Sequence, residues 1–103
     1  MKILISNSAF NDLETIKEYY LEEGVPQIGI EFVVELIHHI ETLPANPEIG
    51  RMVPEFNEKN IRELIHPPFR IVYLNEEKTI HVIRVWRSER LLNLTDTPAN
   101  EKI

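Results

Sequence analysis

Residues 69–86 read FRIVYLNEEKTIHVIRVW. Two runs rich in β-branched and aromatic residues, Phe69–Leu74 and Thr79–Trp86, flank the polar four-residue segment Asn75–Lys78, which predicts a β-hairpin. Successive strand side chains point to opposite faces, so Phe69, Ile71 and Tyr73 share one face while Arg70, Val72 and Leu74 share the other. The same alternation sets Ile83 and Val85 against Arg84 and Trp86. Burying the arginines would need a paired acid for each. The Phe69/Ile71/Tyr73 and Ile83/Val85 face is therefore expected to be covered, leaving Arg70, Arg84 and Trp86 on the open face.

Upstream of the hairpin, Ile61–Ile65 reads as a third strand, separated from the second by Pro67 and Pro68. Asn46 to Lys59 reads as loop, broken by Pro47, Gly50 and Pro54. Earlier still the period becomes helical. Ser6 or Ser8 is a suitable N-cap, and Phe10, Leu13, Ile16 or Lys17, and Tyr20 follow at three- and four-residue spacing, predicting a helix from Asn7 to about Glu23. Gly24 supplies a left-handed stop. A second helix is expected from about Gln27 to Leu43, with the stripe Ile30, Val33 or Val34, Ile37, and Ile40 or Glu41, ended by Pro44. So short a break between helices predicts an antiparallel hairpin. Lys2–Ile5 is a short apolar run suited to an edge strand. The order β-α-α-β-β-β gives an α+β domain: a short N-terminal strand, a two-helix hairpin, then a three-stranded antiparallel sheet. At 103 residues this is one domain with one core, and the polar tail Asn93–Ile103 is expected to fray.

The composition narrows the function classes. There is no cysteine, which removes disulfides, thiolate nucleophiles and cysteine metal sites, and suits a cytoplasmic location. The N-terminal apolar run is too short for a signal peptide, and no stretch reaches the ~20 apolar residues of a membrane span. Net charge is −6, divided unevenly: residues 1–50 carry two basic and nine acidic side chains, residues 51–103 nine basic and eight acidic. All six arginines (Arg51, Arg62, Arg70, Arg84, Arg87, Arg90) lie in the second half. An acidic chain is a poor general binder of nucleic acid, so no direct sequence-specific binding is expected, whereas an arginine cluster suits one acidic partner or one phosphate.

The ordered series Gly50-Arg51, Val53-Pro54-Glu55, Arg62-Glu63-Leu64, Phe69-Arg70-Ile71-Val72-Tyr73, Arg84-Val85-Trp86 and Arg90 resembles the RelE/ParE toxin superfamily of type II toxin–antitoxin systems. The first half, with Asp12-Leu13 leading to Tyr19-Tyr20 and a second helix ending in Leu-Pro, is similar to these toxins too. RelE-like members cleave messenger RNA on the ribosome with basic residues and a late tyrosine, whereas ParE-like members bind and poison DNA gyrase. Only Arg70 carries over cleanly from the nuclease pattern. Asn60–Ile65 lacks a lysine pair, Ser88 stands at the late arginine and Leu94 at the late tyrosine.

The resemblance therefore implies a ParE-like, plasmid-stabilising toxin that inhibits gyrase by binding and is neutralised by a ParD-like antitoxin, with no cofactor and no metal. The expected contacts are Arg70, Arg84, Trp86, Arg87 and Arg90, tryptophan and arginine being common interface anchors. Each has a plainer reading: Arg70 pairs with Glu63 or Glu89, and Trp86 is a core-edge residue. Arg51 either holds its loop through carbonyl or carboxylate contacts or acts directly. The alternative is a ribosome-dependent endoribonuclease using Arg70, Arg87 and Arg90, with His81 or His66 as base, since arginine remains protonated. A third reading is a degenerate toxin that retains only antitoxin binding. His38-His39 is expected on a helix surface rather than at a metal.

Overall fold

The computed structural model describes residues 1–56 and 58–87. In chain order the elements are β1 (Lys2–Ile5), α1 (Asn7–Glu22), α2 (Pro26–Ile40), β2 (Arg51–Met52), β3 (Ile61–His66), β4 (Phe69–Glu76) and β5 (Thr79–Arg87). The α+β reading holds, but the sheet has five strands rather than three, in the order β1-β5-β4-β3-β2. β1 runs parallel to β5, and the other neighbours are antiparallel. β2 was hidden in a stretch that reads as loop, because two residues between prolines and a glycine carry no period. No helix among the described residues is long and apolar enough to cross a membrane.

The helical hairpin is set by its caps. Ser6 accepts from the Ala9 N–H at 3.0 Å and so caps α1. Gly24 takes φ 82°, the left-handed value that ends the helix, and Pro26 opens α2 with the fixed φ that a first turn accepts. At Gly29 a Cβ would stand 3.0 Å from Tyr20 Cβ and 3.2 Å from Lys17 Cα. Of the stripe read in the sequence, Val33, Ile37 and Ile40 pack on the core, and the covered side of α2 extends to Gly29 and Leu36 rather than to Ile30. Gly29, Leu36 and Ile40 face inward, whereas Ile30 and Val34 remain exposed. In α1 the buried residues are Ala9, Leu13 and Ile16, and Phe10 points outward.

These residues meet Leu64, Phe69, Ile71, Tyr73, Ile80, Val82 and Val85 from the sheet, forming one core under the hairpin. Each large apolar side chain so buried contributes roughly 1.5–3 kcal/mol. The expected inward face of β4 is correct, and on β5 Val85 is buried as expected whereas Ile83 is not. Val72 pairs with Arg84 and Tyr73 with Val82, so Ile83 is the extra residue of a bulge. Ile80 and Val82 are buried on one side of it and Val85 on the other, while Ile83 is only partly covered.

β1 ends opposite Val82, which leaves the outer edge of β5 without a strand partner from Ile83 onward. The start of α1 supplies what is missing. Ser6 N–H donates to the Val82 carbonyl at 2.9 Å, and the Ser6 hydroxyl to the Ile83 carbonyl at 3.0 Å. The Asp12 carboxylate accepts from the Val85 N–H at 2.9 Å and from Arg84 through two further bonds of 2.8 and 2.9 Å. Asp12→Ala should cost about 2 kcal/mol in urea denaturation, the range for a hydrogen bond to a charged acceptor on a buried donor. Arg84→Ala should cost less, because its side chain is 41% exposed. Equal losses would mean that the backbone bond to Val85 contributes nothing.

Candidate functional site

The face of the sheet away from the helices carries the arginines and Trp86. Register places Ile65, Arg70 and Trp86 in one row across β3, β4 and β5, and Arg51, Glu63, Val72 and Arg84 in the next. Trp86 lies between two cations, with Arg70 Cζ 4.9 Å and Arg84 Cζ 5.2 Å from its ring centroid. Three of the expected contact residues thus meet on one face.

Arg70 departs from the expectation of a free side chain on an open face. It is 4% exposed, and the Glu63 carboxylate accepts from its Nη1. Glu55 adds a contact to Nη2 at 3.3 Å from an exposed loop. Of the two acids weighed as partners, Glu63 is the one used; Glu89 lies outside the described residues. The acid that would make burial of this arginine tolerable is therefore present on β3, diagonally across the β3–β4 ladder in the next row. Arg70 Nε has no protein partner among the described residues.

Glu63 is 1% exposed and also accepts from Arg51 Nε at 2.6 Å. Arg51 therefore holds β2 to β3 through a carboxylate, the plainer of its two readings. The carboxyl of Glu55 is held below its ordinary range first by its own backbone N–H, against the opposing push of burial, with Arg70 and Arg51 adding to the lowering. Arg84, bound to Asp12, has its pKa raised by that hydrogen bond.

Arg87 does not join this group. It pairs with Phe69 in register and faces the helices, its Cζ 5.4 Å from the Phe69 ring centroid and 5.8 Å from that of Tyr19. Arg90 lies outside the described residues, as do Ser88, Leu94 and the tail from Asn93. His81 is separated from Trp86 by four residues of β4 in register, Leu74 to Arg70, or roughly 13 Å at a strand rise of about 3.3 Å. It is level with Leu4 and Leu74. His66, the other base considered, turns to α2, with its Nδ1 2.9 Å from His39 Nδ1 and its Nε2 3.6 Å from a Glu35 oxygen. Neither imidazole is brought to the Arg70–Trp86 row.

A second feature explains the Gly50-Arg51 pair. The Tyr73 hydroxyl donates to the Pro47 carbonyl at 2.9 Å and accepts from Gly50 N–H at 3.0 Å. Arg62 Nη1 donates to the Gly50 carbonyl at 2.8 Å. Burial raises the Tyr73 pKa, with the Gly50 hydrogen bond opposing it. A Cβ on Gly50 would stand 2.6 Å from the phenol oxygen and 2.7 Å from the Glu63 carbonyl. Sequence alone gives no sign of this tie, because the partners are 23 residues apart. Asp12 has a signal in the sequence only as part of a helical pattern.

Comparison with known proteins fits this geometry. The family model described as the ParE toxin of the type II toxin–antitoxin system parDE matches residues 3–92. The chain belongs to the ParE toxin family. Its fold is similar to a structure titled as the chromosomal ParDE toxin–antitoxin system from P. aeruginosa, with TM-score 0.72, 21% identity, and coverage of 84% of this chain and 95% of that one. It is also similar to the solution structure of the conserved hypothetical protein HP0894 from Helicobacter pylori, with TM-score 0.56, 19% identity, and coverage of 86% and 96%. No protein of the curated collection matches. Among the described residues of this ParE-family chain, no three His, Cys, Asp or Glu side chains gather as a metal site.

Two outcomes test the network. Glu63→Gln should cost about 3–5 kcal/mol in chemical denaturation by leaving Arg70 buried without an anion, and Glu63→Met combined with Arg70→Met should recover most of that loss. A double variant as unstable as the single one would show that the ion pair is not the source of the loss. Gly50→Ala should lower the thermal midpoint by several degrees, because neither contact at its Cβ is a flexible side-chain end. An unchanged midpoint would mean that the loop moves freely away from Tyr73.

Proposed function

We propose that this ParE-family toxin inhibits DNA gyrase by binding it, and that a ParD-like antitoxin neutralises it in the cytoplasm. The observation that carries the binding reading is the state of Arg70. It is the residue that most cleanly matches the nuclease pattern, and its guanidinium is already committed to Glu63 and Glu55. An arginine in that state is not a free cation for a scissile phosphate. Neither imidazole stands beside that charge: His81 lies roughly 13 Å along the strands from the Arg70–Trp86 row, and His66 turns to α2. Cleavage through a 2′-hydroxyl needs a base, an acid and charge stabilisation around one phosphate.

Trp86 and Arg84 fit a contact surface better. Both flank the Arg70–Glu63 pair, and the Arg84 side chain is 41% exposed. An indole held between two guanidiniums is a preorganised anchor, whose side-chain entropy is already spent before a partner arrives. A partner of this kind would be an acidic segment that folds on contact, as disordered regulators do.

The test is to induce the full chain alone in bacteria and follow thymidine and methionine incorporation together, with a gyrase supercoiling assay on the purified protein. DNA synthesis falling first, with supercoiling inhibited, is the expected result. Trp86→Ala should keep the wild-type circular dichroism spectrum and weaken inhibition by about 30-fold, the scale of one interface hot spot. Arg84→Glu is a poor probe, because it would place a second carboxylate against Asp12 and disturb the fold. Protein synthesis falling first, with cut messages, would overturn the proposal in favour of a ribosomal nuclease.

A further inference from the structure

The contact between α2 and the end of β3 holds two partly buried imidazoles in an unusual relation. His39 Nδ1 and His66 Nδ1 face each other at 2.9 Å, with ring centroids 5.0 Å apart. Two neutral rings joined this way share a single proton along the Nδ1–Nδ1 line, so one ring must present a lone pair. The Glu35 carboxylate lies 3.6 Å from His66 Nε2, on the far side of that ring, within charge contact but beyond hydrogen-bond length.

We propose that His39 and His66 form a binding site for a divalent transition-metal ion of the Zn2+ or Ni2+ type, linking α2 to the end of β3 through their Nδ1 atoms. A metal-ligating histidine commonly gives its other N–H to a carboxylate, which fixes the tautomer and raises ligand basicity; Glu35 stands at that position behind His66. The ring that holds the shared proton moves it from Nδ1 to Nε2, and both rings then offer lone pairs without a net change of charge. Zinc–nitrogen bonds of about 2.0–2.1 Å in tetrahedral geometry set the two nitrogens about 3.3 Å apart, which the 2.9 Å pair reaches by a small opening and a turn of both rings that brings their lone pairs onto one point.

The protein supplies two ligands, since no three metal-ligating side chains gather among the described residues. Water completes the coordination, and the site is of the imidazole class, which suits Zn2+, Ni2+ and Cu2+ rather than Mg2+ or Ca2+. Its effect is a cross-link between the helical hairpin and the sheet, formed only in the folded state and therefore stabilising it.

The probe is Zn2+ itself, titrated calorimetrically into the full chain at neutral pH, with thermal unfolding followed in parallel. The expected result is one ion per chain and a raised unfolding midpoint. Both effects should be lost in His39→Gln and in His66→Gln, and unchanged in His38→Gln, whose side chain is exposed on the neighbouring position. Glu35→Gln should weaken binding about tenfold or more while retaining one site. Should either histidine variant fail to fold, nitrogen NMR on the wild-type chain decides instead. Addition of Zn2+ should then shift the Nδ1 resonances of His39 and His66 and leave those of His38 and His81 in place. No binding up to millimolar Zn2+, binding that survives His39→Gln, or binding abolished by His38→Gln would each overturn the proposal.

Discussion

A carboxylate removed from water needs cations and hydrogen-bond donors around it, and Glu63 organises the face of the sheet on that condition. Its side chain has no exposed surface, and it accepts from Arg51 on β2 and Arg70 on β4, one strand on either side. The same condition applies in reverse to Arg70, which could not be buried on β4 without Glu63 opposite. One acid thus fixes three strands in lateral order on the face opposite the helical hairpin. Trp86 rests against the outer cation of this set, and Glu55 reaches in from the preceding loop. Any surface that this face presents to a partner is shaped by that internal pairing.

The opposite face obeys a different rule. There the apolar side chains of β3, β4 and β5 meet a helical hairpin whose close approach is permitted at Gly29, where any side chain would press on Tyr20 and Lys17. The two faces communicate through the edge of β5. Ser6 and Asp12 satisfy the backbone groups that β1 leaves open, and Asp12 also takes Arg84. Arg84 therefore belongs both to the candidate contact surface and to the joint that holds α1 on the sheet. A fold economical in length uses the same residues for stability and for display, so function cannot be probed at Arg84 without probing stability too.

Much of the architecture is legible from local rules. The hairpin Phe69–Trp86, the cap at Ser6, the stop at Gly24 and the sequence of helices before strands each follow from periodicity and end signals within a few residues. The inward row Phe69/Ile71/Tyr73 was legible because β4 is regular along its length. Ile83 was not, because a bulge inserts one residue and shifts the alternation beyond it. The inward side of α2 was legible in Val33, Ile37 and Ile40 but not at its margins. Helical spacing identifies a stripe, but only the neighbouring helix decides where its edges lie, and Ile30 was left outside while Gly29 and Leu36 were covered.

By itself the sequence determined the class of the fold, both ends of α1 and the start of α2, the pairing of its last two strands and its family, whereas α2 stops at Ile40, short of the expected Leu43. All of these rest on the residue types within one element or on their order along the chain. Only the tertiary structure decided the state of the site. It chose Glu63 for Arg70, sent Arg87 to the helix face, kept His81 and His66 away from Trp86, tied Gly50 to Tyr73 and brought His39 against His66. Each of these joins groups that are distant along the chain or placed by register, and charge pairing of that kind is set by which strands lie side by side. A list of arginines says where positive charge is available; the sheet says which of those charges are already neutralised.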